Sequence, residues 1–148
     1  MRDYIQITGR PTITLYDQYG NVKQHLEEDN LIVDAGKNFI IKKAFDQFDD
    51  PAPEIDTIAA GDGNTAAAAS ADISLENQIG ETAISSYSVS DNQITLFATL
   101  GENVATGTIN ELAVLSSDNV LISRIVVSTP FEKTTTDFLN ISWSIEVG

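Results

Sequence analysis

"LNISWSIEV", residues 139–147, decides the fold class. Leu139, Ile141, Trp143, Ile145 and Val147 fall on one side of an extended chain, and Asn140, Ser142, Ser144 and Glu146 fall on the other. A period of two held over nine residues belongs to a strand with one face in a core and one toward solvent. Leu139, Ile141, Trp143 and Ile145 are therefore expected core residues, with the single tryptophan at their centre.

Similar patterns extend backward from that strand. Residues 108–115 and 120–127 flank the turn Ser116-Ser117-Asp118-Asn119, and the second is apolar on both faces except at Ser123 and Arg124. That pattern suits a strand covered on both sides. Residues 82–90 and 93–100 flank Asp91-Asn92, a pair suited to a two-residue hairpin. Residues 12–16 and 22–26 alternate about the turn formed by residues 17–21. One helix of about three turns is expected near residues 35–48. Asp34 is its N-cap; Phe39, Ile40, Ala44 and Phe48 form its apolar stripe, widened by Ile41 and Phe45, and Asp49-Asp50-Pro51-Ala52-Pro53 stops it. Five or six antiparallel strands after a single helix predict a mainly β, jelly-roll-like antiparallel β-sandwich. Residues 1–148 then form one domain, in which residues 1–10 precede any clear pattern and form a candidate contact arm through Tyr4, Ile5 and Ile7.

Charge narrows the functional classes. The net charge is −14, and six of the eight basic residues lie within the first 43 positions. Residues 44–123 contain thirteen carboxylates and no lysine or arginine. Such a surface repels phosphate, so neither nucleic acid nor an anionic membrane is an expected partner. The absence of cysteine removes disulfides, thiolate catalysis and cysteine-based metal sites. No apolar run approaches a membrane span, and the N-terminus lacks the apolar stretch of a secretory signal, so the chain is expected to stay where it is made until lysis.

"IDTIAAGDGNTAAAASADISL", residues 55–75, carries Gly61, Gly63 and Ala66 at the G-x-G-x-x-A spacing of a dinucleotide-binding turn. The context opposes that reading. Asp62 places a carboxylate where a diphosphate would approach, and the chain continues in short alternating strands rather than parallel, helix-linked ones. Asp62, Asn64 and Asp72 offer oxygens to calcium but lack the register and closing glutamate of a calcium loop. His25, the only histidine, lies in an expected strand with no nucleophile partner, and the carboxylates of Glu27-Glu28-Asp29 and Asp49-Asp50 stand beside turns. No catalytic residue, cofactor or metal is assigned, and an enzyme is not expected. Glu111 and Arg124 fall opposite each other if residues 116–119 form a four-residue loop, an acid–base pair read as structural.

Four segments taken in order resemble a known family: "NLIVDAGKNFI", then "IDTIAAGDGNTAAAASADISLENQI", then "GTINELAVLSSDNVLISR", then "FEKTTTDFLNISWSIEV". They are similar to a module of tailed bacteriophages found at the start of tail-collar fibre proteins and as free-standing small virion proteins. The resemblance runs from residue 30 to residue 147. Departures from the module's pattern occur at Gln78 and Glu81, after the Leu75-x-Asn77 step, and at Ala113, where glycine is usual. The resemblance implies a virion structural protein made in the host cytoplasm. The first expectation is a capsid decoration (cement) protein, and the alternative a tail, baseplate or fibre-attachment component. The expected partners are the phage major capsid protein or tail proteins, and a homotrimer is expected. A glycan-binding sandwich using Tyr4, Tyr16, Tyr19 and Tyr87 is a more distant alternative.

Overall fold

The computed structural model describes residues 6–63 and 67–148. It is mainly β, with two antiparallel five-stranded sheets and one helix. The first sheet has the order β2 (Val22–Glu27), β1 (Ile7–Tyr16), β10 (Phe138–Val147), β7 (Gln93–Leu100), β6 (Ser86–Ser90). The second has the order β3 (Leu31–Ile32), β9 (Leu121–Lys133), β8 (Gly107–Ser116), β4 (Ile55–Gly61), β5 (Gln78–Ala83). The four hairpins β1–β2, β4–β5, β6–β7 and β8–β9 each stay within one sheet, and the chain changes sheet after each. The jelly-roll likeness therefore stops at the two-sheet layering.

The sheets meet through the alternation the sequence carries. Leu139, Ile141, Trp143 and Ile145 of β10 join Ile13, Leu15, Leu96 and Leu100 on one side of the core. Ile58, Leu112, Ile125 and Phe131 answer from the other sheet. β9 packs near β1, and β5 near β7. β6, one place beyond β7, is left overhanging the sandwich. The second sheet is covered on its outer face too, where Val33, Ala59, Leu75, Ala113, Leu115 and Leu121 make a separate buried cluster. This is why β8 and β9 are apolar on both faces.

The expected strand over residues 82–90 is two strands. Ile84 donates its N–H to Asp56 O and Ser85 donates to Phe97 O, so the chain passes from one sheet to the other between adjacent residues. The helix, α1 (Asp34–Ala44), is shorter than residues 35–48. Val33 occupies the N-cap position without a side-chain bond, and Asp34 is the first helical residue, its N–H held by Ser70 O. Asp46 at φ 53° turns the chain away after the helix, and Phe48 folds back to place its ring 5.0 Å from that of Phe39. Ile41 and Phe45, expected to widen the buried stripe, face solvent. Gly36 fixes how closely α1 approaches, because a Cβ there would lie 2.1 Å from the Ile122 carbonyl oxygen of β9.

The expected contact arm is shortened as well. Ile7 to Arg10 belong to β1, paired with Val147 to Ser144 of β10, and Ile7 packs against the core. Tyr4 and Ile5 lie outside the described residues.

Trp143 is fully buried, and its Nε1–H has no hydrogen-bond partner among the described residues. Its contribution is therefore apolar packing. Trp143→Ala should cost about 3–5 kcal/mol in urea unfolding. Trp143→Phe should cost clearly less, because no hydrogen bond is lost with the indole. An unchanged unfolding midpoint in the alanine variant, or iodide quenching of the native tryptophan, would contradict this core.

Candidate functional site

The residues with the most chemical potential converge on the outer face of the second sheet. Glu111 and Arg124 do meet, but not by direct opposition. The ladder pairs Glu111 with Val126 and Ala113 with Arg124, and it steps from Val114↔Ser123 to Leu115↔Leu121, skipping Ile122. The observed register differs from the expected one by two residues. A one-residue slip would have put the two charges on opposite faces, whereas a two-residue slip keeps them together. Arg124 Nε lies 3.1 Å from Glu111 Oε1.

Both groups are out of solvent, at 0% exposure for Glu111 and 1% for Arg124. A carboxylate in such a place needs donors to replace its lost hydration. Glu111 Oε1 accepts from the Glu76 N–H at 2.9 Å as well as from Arg124. Its Oε2 accepts from the Gly63 N–H at 3.1 Å and the Asn77 N–H at 3.0 Å. Arg124 Nη1 in turn donates to Asp72 Oδ2 at 2.9 Å, and Nη2 lies 3.7 Å from Glu76 Oε1. One carboxylate of β8 therefore clasps the β4–β5 connection at both ends, with the β9 arginine anchoring its middle.

This arrangement explains the glycine-rich turn. A Cβ on Gly63 would come within 2.5 Å of Glu111 Oε2, and one on Gly61 would meet the same oxygen at the same distance. The backbone N–H groups do cradle an anion, as a nucleotide-binding loop would, but the anion is the chain's own glutamate. The pyrophosphate position of a dinucleotide fingerprint is thereby filled from within. Ala66 and Asn64, members of the nucleotide and calcium patterns, lie outside the described residues. Asp62 Oδ1 is engaged by Asn77 Nδ2 at 2.5 Å, and Asp72 Oδ2 by Arg124 and the Ala69 N–H. Among the described residues, no group of three or more His, Cys, Asp or Glu is arranged to hold a metal.

The other sequence candidates are dispersed. His25 is half exposed on edge strand β2, with Nδ1 2.8 Å from Thr14 Oγ1. Glu28 accepts from the Ser128 N–H and Oγ, while Asp29 lies 3.6 Å from Arg10 at the surface. Asp49 and Asp50 are solvated beside the turn. Tyr16 and Tyr19 flank the β1–β2 turn, whereas Tyr87 stands on β6 at the opposite edge of the same sheet. Tyr4 is not among the described residues, and the three described tyrosines do not form one stacking platform.

Two features were not anticipated from sequence. The first is a second buried polar group at the start of β10. Asp137 accepts from Lys23 Nζ at 2.6 Å and the Thr134 N–H at 2.8 Å, and Lys133 Nζ donates to Gly101 O at 2.7 Å. Burial pushes the Lys133 ammonium below its ordinary value, against the pull of Asp137 and Glu102. The second is an open apolar groove of about 570 Å³ between α1 and the inner face of β6 and β7, bordered by Ile40, Ile55, Ile84, Tyr87 and Ile94. Neither could be found from spacing alone, because each joins residues far apart in the chain. A fully enclosed arginine in a strand covered on both sides does signal that buried acidic partners exist, although not which ones.

No protein-family model, curated protein or solved structure matches this chain.

Two predictions follow from these polar groups. Glu111→Ala removes the acceptor of three backbone N–H groups and the partner of Arg124 Nε, leaving those buried donors unmet, and should destabilise the fold by about 3–5 kcal/mol. Hydrogen exchange should then rise at Gly63, Glu76 and Asn77 more than in β10; uniform exchange across the molecule would contradict the clasp. For Asp137, burial opposes ionisation, but the bonds from Lys23 and Thr134 outweigh it and hold the carboxyl below its ordinary value. A depressed carboxylate stabilises the fold above its unfolded pKa, and that contribution is lost as pH falls through the folded value. Lys23→Met should therefore flatten the acid limb of a stability–pH curve, measured by urea unfolding from neutral pH downward.

Proposed function

We propose that the chain is a non-enzymatic structural protein of a tailed-bacteriophage virion, acting as a decoration protein on the assembled head. The observation carrying this reading is that two of the four segments resembling the virion module converge in space. Gly63, the Leu75-x-Asn77 step, Glu111 of "INEL" and Arg124 of "LISR" build the single clasp described above. Residues scattered over half the chain serve one structural purpose, and the acid–base chemistry they contain is satisfied internally.

Surface charge supports the same reading. After residue 43 the only basic residues are Arg124 and Lys133, and both are buried. The outer surface built from the rest of the chain thus carries carboxylates without lysine or arginine. A compact acidic coat over junctions between capsid subunits would keep particles dispersed. Its attachment energy would come from contacts present only in the assembled shell, so binding would stabilise the shell by linkage. The partner is then the major capsid protein, and the site of action is the virion, after synthesis in the host cytoplasm.

The test compares particles lacking this protein with complete ones during heating. Decoration predicts intact tails, high copy number on the head, and DNA release at lower temperature that added protein reverses. Low copy number, unchanged head melting and defective tail joining or adsorption would reject decoration and assign the protein to the tail.

A further inference from the structure

We propose that β6 is a self-pairing edge, docking antiparallel on β6 of a second copy across a two-fold axis at Ser88. The sequence of β6 is Ser86-Tyr87-Ser88-Val89-Ser90, small and apolar residues in strict alternation about a central serine. Turned around and laid beside itself, it matches. Ser88 faces Ser88 of the second copy, Tyr87 faces Val89, Val89 faces Tyr87, and the outer serines face each other. Each aromatic–β-branched cross-strand pair is of the kind that stabilises antiparallel sheets, and two form per interface. The serines on the other face are too small to obstruct the approach.

The structure leaves this strand open for such a partner. β6 ends the strand order of its sheet, and all five of its residues are exposed. Tyr87 and Val89 pair with Leu96 and Ile94, so they point to the inner face of the sheet. They are nevertheless 71% and 66% exposed, because β6 overhangs the facing sheet. The other edges carry the usual guards against pairing. β2 bears Lys23 and Glu27, β5 bears Glu81 and a register shift, and β3 is two residues long. β6 has neither charge nor proline.

Charge selects a second copy as the occupant. At net −14, two copies repel over most of their surface. Residues 83–100, spanning β6 and β7, contain a single charged residue, Asp91. Under the proposed two-fold, the two Asp91 side chains lie at opposite ends of the paired strands, about 20 Å apart and beyond screening distance. This edge is where like-charged copies can approach at least electrostatic cost. An isologous contact of this kind closes on itself and does not propagate. The pairing holds whether or not the chain belongs to a virion.

The experiment is sedimentation of the wild-type protein over a concentration series to tens of micromolar, beside Val89→Lys and Ser88→Cys. Wild type should self-associate. Val89→Lys places a charge at the inner edge and should weaken association on the order of tenfold or more, with an unchanged melting curve for the monomer because the side chain is exposed. Ser88→Cys supplies the only thiol in the chain, and directly opposed residues sit about 4.5–5.5 Å apart, within disulfide reach. Mild oxidation should therefore link it into a covalent dimer faster than it links Gln18→Cys at the β1–β2 turn. A monomeric wild type, an assembly (a trimer included) that persists in Val89→Lys, or equal cross-linking of the two cysteine variants would overturn the proposal.

Discussion

A buried carboxylate must find donors, and the shape of half this molecule follows from how Glu111 finds them. Its two oxygens receive three backbone N–H groups and the Arg124 side chain. The backbone donors belong to a connection that would otherwise be a long surface loop. Drawn onto the sheet by those bonds, the connection lays Leu75 over Ala113, Leu115 and Leu121 and closes the outer apolar cluster. The glycines at 61 and 63 are the steric condition for that closure, since a side chain at either position would displace the carboxylate. The polar clasp and the outer core are thus one device.

The offset between the two sheets has an opposite consequence. With β5 near β7, an open groove lies beneath β6, and α1 closes only part of it. The helix is held close to β9 by Gly36 and is stapled by the Phe39–Phe48 contact. Ile41 of the helix and Phe45 just after it consequently face outward. The outer face of the second sheet is sealed by charge and hydrogen bonds, and one edge of the first sheet is left apolar and uncharged. The two regions suit different purposes, the first fixing the fold and the second meeting another chain.

The uneven distribution of basic residues acquires meaning only with burial. Lysine and arginine are absent from residues 44–123, but the sequence does not reveal that Arg124 and Lys133 are also withdrawn from the surface. Arg124 is engaged by Glu111 and Asp72, and Lys133 is held by the Gly101 carbonyl. The outward face is therefore more one-sided in sign than the net charge suggests.

The sequence by itself determined the fold class, three of the four hairpins and the core of β10, because alternation along a strand is a local property set by backbone geometry. It also placed Glu111 and Arg124 on one face, since a slip of two residues leaves side-chain direction unchanged. It did not determine the register between them, which depends on the step past Ile122. Nor did it end the helix at Ala44 or show that Ile41 and Phe45 would face solvent while Phe39, Ile40 and Phe48 pack into the core, because packing against β9 narrowed the buried face. The identity of the anion cradled at Gly63 was likewise a tertiary matter: Gly63 and its glutamate are separated by 48 residues, and only the sheet brings them together. The exposed edge at β6 follows from the same cause, for whether a strand is central or overhanging depends on how two sheets are laid over each other, and no short stretch of sequence records that.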